Sequence, residues 1–176
     1  MNLITEFDNG LKREEFELLL GENKLIHDLH YKKFDPDIVS IDTIKNQSGL
    51  KIIVITEPWC GDSLASVPVL LKMSEIHENW SVRFLLRDEN EVLMESFLTR
   101  GGRAIPVFVF IDNSGELIGK WGPRPDKARE IFDNFRSRIE SGDIDRKEVY
   151  LNLRKFYASN RGSDIMNTII NVLKKS

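Results

Sequence analysis

Cysteine is almost missing from this chain: 176 residues hold a single one, Cys60. An internal disulfide is therefore excluded, which suits a reducing compartment. Long apolar runs are missing too. The longest, Ala104 to Ile111, is far too short to cross a bilayer, so no membrane partner is expected. The opening stretch from Met1 to Asp8 has neither the positive region nor the apolar core of a signal peptide, and a cytoplasmic location is expected. Excess positive charge is absent: the net charge is −3 and no basic stripe stands out, which argues against nucleic acid as a partner. There is no phosphate loop, nucleophile elbow or dinucleotide fingerprint, and no internal repeat or low-complexity segment. His27 and His30 lie three apart on one predicted helix face, but no nearby Cys or second His cluster completes a metal site. They are read as polar helix residues, with neither metal nor cofactor expected.

What is present is ordinary in bulk and unusual in one place. A hydrophobic content of 41% with 30% charge fits a soluble globular chain, and 176 residues can bury roughly 70% of their unfolded surface in one domain. The unusual place is Glu57-Pro58-Trp59-Cys60-Gly61-Asp62-Ser63. Before it, Ile52 to Ile55 form an unbroken apolar run, as in a strand covered on both faces. After it, Leu64, Val67 and Leu71 recur at helical spacing. Cys60 therefore sits at a strand-to-helix turn, where unpaired N–H groups and the helix dipole favour a thiolate.

The rest of the chain reads as alternating helices and strands. A helix is expected over 11–33, interrupted at Gly21, with Phe16, Leu19, Leu20, Leu25, Ile26 and Leu29 as its apolar face. A second is expected with Pro36 in its first turn and Asp35 as its cap, and with Ile38, Ile41 and Ile44 buried. A strand over 50–56 leads to the Cys60 turn and to a helix that Pro68 should bend. Then come a strand over 81–86, a short helix over 90–99 closed by Gly101-Gly102, and a strand over 106–111. Asp112-Asn113-Ser114-Gly115 marks a hairpin to 116–120, and Trp121-Gly122-Pro123-Arg124-Pro125 ends that strand. Helices follow over 126–139, 146–159 and 164–174, with Leu151, Leu153 and Phe156 among their packing residues. This order predicts an α/β sandwich with a mixed sheet.

Trp59-Cys60-Gly61-Asp62-Ser63 resembles the Trp-Cys-x-x-Cys active site of thioredoxins, with serine in place of the second cysteine. Pro68, eight residues after Cys60, is similar to the family's helix-kinking proline. Arg103-Ala104-Ile105-Pro106 resembles its cis-proline loop. The resemblance spans roughly 51–139. It implies a thioredoxin-like three-layer α/β/α sandwich with a mixed sheet and extra helices at both ends. The whole chain, 1–176, is then expected to be a single thioredoxin-like domain, with its core at about 50–140, N-terminal helices over 1–49 and C-terminal helices over 141–176.

The resemblance also implies roles. Cys60 is the expected nucleophile, attacking a disulfide sulfur to form a mixed disulfide. Asp62 works against ionisation of that thiol by charge repulsion. Ser63 cannot resolve a mixed disulfide as the family's second cysteine does. Two readings of it stand: a hydrogen-bond donor to the thiolate, or an ordinary polar residue of the first helical turn. The family's buried carboxylate six residues before the cysteine is Val54 here, and Glu57 is read as a solvated turn residue. A cis Pro106 would set the Ile105 backbone beside the attacked disulfide to bind an extended substrate. Trp59 and Trp121 are expected to offer apolar contact area, and Arg124 or Arg103 a charge for an anionic group. Three functions follow. The first is monothiol exchange through Cys60 with a protein or small-molecule thiol or disulfide. The second is a non-catalytic binding module that keeps the groove. The third, from the likeness of Cys60-Gly61-Asp62-Ser63 to the Cys-Gly-Phe-Ser of monothiol glutaredoxins, is glutathione or iron–sulfur binding. The oligomeric state is open.

Overall fold

The computed structural model describes residues 1–174; positions 175 and 176 of the expected C-terminal extension lie outside it. Its elements run α1 (Leu3–Asn9), α2 (Arg13–Leu19), α3 (Lys24–Lys33), α4 (Ile38–Lys45), β1 (Leu50–Thr56), α5 (Gly61–Ile76), β2 (Trp80–Leu86), α6 (Glu91–Glu95), β3 (Val107–Ile111), β4 (Leu117–Trp121), α7 (Asp126–Glu140), α8 (Arg146–Asn160) and α9 (Ser163–Leu173). The four strands form one mixed sheet in the order β2-β1-β3-β4. β1 pairs parallel with β2, through the crossover helix α5 that such a pairing requires, and antiparallel with β3. β3 and β4 are a hairpin.

The apolar run of β1 is explained by its place between two partners and two covered faces. Ile52 and Val54 join a large cluster with Leu64, Leu70 and Met73 of α5, Phe84, Phe108, Phe110, and Ile165 and Ile169 of α9. Ile53 and Ile55 face a second cluster with Phe7 of α1, Leu93 and Met94 of α6, and Val107 and Val109. Helices thus lie on both faces of the sheet, in three layers. Each fully buried aliphatic or aromatic side chain contributes about 1.5–3 kcal/mol.

The ends of the chain depart from expectation in places. α1 is an additional helix, capped by the Asn2 side chain, and seven residues carrying one buried position, Phe7, give little periodic signal. A 3₁₀ turn at Gly21–Asn23, with Gly21 at φ +51°, separates α2 from α3 and shifts the helical phase. The buried positions there are consequently Phe16, Leu20, His27 and Phe34, while Leu19, Leu25, Ile26 and Leu29 are exposed. Asp37, not Asp35, caps α4 by accepting from the Ser40 N–H, and Ile38 is exposed. Leu11 exchanges two backbone hydrogen bonds with Phe84, so the N-terminal segment covers part of the β2 edge. At the other end, Gly162 joins α8 to α9 at φ +85°. A Cβ there would lie 2.6 Å from Val69 Cγ2 and 3.0 Å from Phe34 Cδ2. Only glycine lets that junction lie against α5.

Among the described residues, no helix is long and apolar enough to cross a membrane, and no group of His, Cys, Asp or Glu could hold a metal ion.

Candidate functional site

Cys60 is the N-cap residue of α5, with extended backbone at φ −77° and ψ 116°. The turn that carries it is pinned from several directions. The Cys60 N–H donates to Glu57 O at 3.1 Å, and Asn23 Nδ2, from the 3₁₀ turn, donates to Pro58 O at 3.2 Å. Glu57 is buried rather than solvated: its Oε1 accepts from the Asp88 N–H at 2.9 Å, which ties the turn to the end of β2. Trp59 is 57% exposed, with the Arg87 guanidinium 5.2 Å from its ring centroid.

The sulfur itself is shielded. Cys60 is 8% exposed, and its Sγ donates to the carbonyl oxygen of Ile105 at 3.5 Å. The Ile105–Pro106 peptide is cis, and so is Gly122–Pro123. These two segments touch: a Cβ on Gly122, at φ +126°, would lie 2.1 Å from Pro106 O. Burial pushes the Cys60 thiol above its ordinary range. Hydrogen bonding from the Ser63 hydroxyl opposes that shift, the Asp62 charge adds to it, and the N–H groups of Ser63 and Asp62 also oppose it. The resting sulfur at neutral pH is therefore a thiol.

Ser63 is buried, and its Oγ accepts from Thr56 Oγ1 at 2.6 Å. Committing its lone pair to Thr56 leaves the Ser63 hydroxyl hydrogen free for the sulfur.

Asp62 is a feature that local sequence reading does not reveal. Its side chain is 8% exposed, pairs with Arg124 Nη2 at 2.6 Å, and accepts from the Tyr157 hydroxyl at 2.8 Å. Tyr157 comes from α8 and Arg124 from the loop between β4 and α7, so three distant segments converge on the first turn of α5. Arg124 also lies 4.2 Å from the centroid of Phe132. Burial pulls the Arg124 guanidinium down, and the Asp62 carboxylate more than reverses this. Burial, then Asp62, push the Tyr157 phenol well above its usual value. The cluster is thus carboxylate, guanidinium and neutral phenol.

A groove of about 790 Å³ opens over Cys60. Its walls include Asn23 of the 3₁₀ turn, Ile26 and His30 of α3, and Lys147, Tyr150, Leu151 and Arg154 of α8, with Trp59, Ala104, Ile105, Pro123 and Arg124 also lining it. The structure brings Cys60, Trp59, Ile105 and Arg124 to this groove. Pro106 stands behind it as the residue following Ile105, and Ser63 lies beneath. Trp121 is elsewhere. Its indole is buried against Phe108, with ring centroids 4.7 Å apart, and its Nε1 donates to Thr168 Oγ1 of α9 at 2.8 Å. It is a core residue because the side of β4 it occupies is covered by α9. Arg103 turns outward to Glu91 and Glu95. Leu151, expected to pack inward, is exposed at the groove. The walls from α3 and α8 escaped the sequence because nothing local ties either helix to Cys60.

This is the architecture of a thioredoxin-fold protein with one thiol at the start of its central helix. The sequence profile of the family described as Thioredoxin matches residues 27–136, more than half of the chain, and the chain belongs to that thioredoxin family. No curated protein matches it significantly. Two solved structures are similar over nearly the whole length. A protein of unknown function from Pseudomonas aeruginosa shares 14% identity at a TM-score of 0.72, covering 99% of this chain and 98% of its own. An HIV epitope-scaffold shares 13% identity at a TM-score of 0.72, covering 100% and 99%. At such identities the likeness extends to the fold, helical ends included.

Proposed function

We propose that this protein performs monothiol thiol–disulfide exchange through Cys60. The observation that carries the reading is the position of Sγ: at the floor of an open groove, 3.5 Å from the Ile105 carbonyl. An extended substrate segment lying along that backbone would present its disulfide to the sulfur. The thiol first loses its proton to solvent base. The Cys60 thiolate then attacks one substrate sulfur, the substrate S–S bond breaks, and a mixed disulfide forms while the other sulfur leaves as a thiolate and is protonated. With Ser63 unable to resolve this bond, a thiolate from a second molecule attacks the substrate sulfur of the mixed disulfide and returns Cys60 to its reduced form. The net result is exchange rather than reduction: one substrate sulfur leaves as a thiol and the other ends paired with the external thiol. The Ser63 hydroxyl and the α5 N–H groups stabilise the leaving Cys60 thiolate. A reducing, cytoplasmic setting would supply the second thiol.

A second reading, a binding module with a chemically idle thiol, is favoured by the burial of Cys60 and its raised pKa. Intact mass after incubation with a small neutral disulfide at alkaline pH separates the two. The exchange reading predicts one adduct per chain, removed by a small thiol and absent in Cys60→Ser. An unmodified folded chain would leave the binding module standing. Glutathione or cluster binding is not adopted, because Asp62 and Arg124 occupy each other beside the sulfur.

A further inference from the structure

α8 presents one continuous stripe to the groove: Lys147, Tyr150, Leu151 and Arg154, at spacings of three, four and seven. Both cations are exposed, and among the described residues neither side chain has an ion-pair or hydrogen-bond partner. The other charged groups lining the groove, Asp62 and Arg124, are paired with each other. Between the two cations Tyr150 and Leu151 are exposed, and across the groove Ile26 and Trp59 are exposed as well. The groove is therefore an apolar slot with an unanswered positive charge at each end of one wall. Seven residues of helix separate those charges by about 10 Å. An extended peptide covers that distance in about three residues.

We propose that this groove binds an extended acidic peptide segment of a partner protein, with apolar residues held between two carboxylates three or four positions apart. The apolar side chains would cover Leu151, Tyr150 and Ile26, and the carboxylates would reach Lys147 and Arg154. This names the substrate class for the exchange reading and rests on it: a cysteine within or beside such a segment is delivered over Cys60. Specificity comes from α8, a helix outside the span that resembles the family core.

The test uses the full-length Cys60→Ser variant, so that binding is read without chemistry. A fluorescently labelled, end-blocked peptide with two glutamates flanking two leucines is titrated by anisotropy, beside the same peptide with lysines for glutamates. The acidic peptide is expected to bind and the basic one to bind about tenfold more weakly or not at all. Raising the salt should weaken the acidic complex. The double variant Lys147→Glu with Arg154→Glu, at two exposed positions, should reverse the preference. Equal binding of both peptides, no binding of the acidic one, or no effect of the double variant would overturn the proposal. A small organic carboxylate competing as well as the peptide would also overturn it, by pointing to a simple anion site. Failure here leaves adduct formation with a neutral disulfide untouched, so the two readings fail separately.

Discussion

Asp62 and Ser63 follow Cys60 one after the other, yet their polar atoms go to different parts of the molecule. Ser63 turns down into the sheet and meets Thr56, seven residues away. Asp62 turns toward the appended helices and meets Tyr157, 95 residues away, together with Arg124. The first contact belongs to the strand–turn–helix unit that carries the thiol. The second joins that unit to a helix outside the family span. Their effects on Cys60 have opposite sign: the Ser63 hydrogen bond lowers its pKa, and the Asp62 charge raises it. The local neighbour favours ionisation and the remote cluster moderates it.

Breaking the remote side should have the largest effect. Arg124→Met removes one partner of a buried ion pair and strands the Asp62 carboxylate, so chemical denaturation should show a loss of about 3–5 kcal/mol. An unchanged midpoint would mean that Asp62 is free to turn outward. Asp62→Asn keeps an acceptor for Tyr157 while removing the charge. The Cys60 pKa should then fall, because the Asp62 charge that helps to raise it is gone, and alkylation near neutral pH should become faster. Breaking the local side should cost less. Ser63→Ala removes the Thr56 contact, for about 1 kcal/mol of stability, and slows alkylation by taking away a donor to the thiolate. If Asp62→Asn and Ser63→Ala moved the rate in the same direction, the opposition between the two neighbours would be wrong.

Much of the local side was legible in the sequence. An apolar run ending at a Gly-containing turn, then helical spacing, located Cys60 at a helix start, and Pro106 was placed near it by resemblance to a known loop. Periodicity failed where geometry set the phase. The 3₁₀ turn at Gly21–Asn23 buries His27 and exposes Leu25. Trp121 was expected at the groove because it precedes a loop that borders it, but α9 covers its side of β4. Glu57 read as solvated because its partner is a backbone N–H 31 residues away. The Asp62–Arg124–Tyr157 cluster could not be read at all, since residues so far apart carry no spacing that relates them.

The raised Cys60 pKa also has a sign for stability. A group that holds its proton more tightly when folded contributes fully below its unfolded pKa, and the contribution is lost as pH rises through the folded value. Stability should therefore decline above about pH 8.5, the ordinary thiol value. In Cys60→Ala that part of the decline should disappear. An identical decline would assign it to other groups with raised pKa values, Tyr157 and Tyr31 among them.

The most direct measurement is the rate of Cys60 alkylation against pH in the folded wild-type chain. A measurable rate that climbs with pH and reaches half its limit above the ordinary thiol range is expected. A half-point below that range would contradict the shielding described for the sulfur. No reaction at any pH where the fold persists would contradict its opening to the groove, and with it the exchange function.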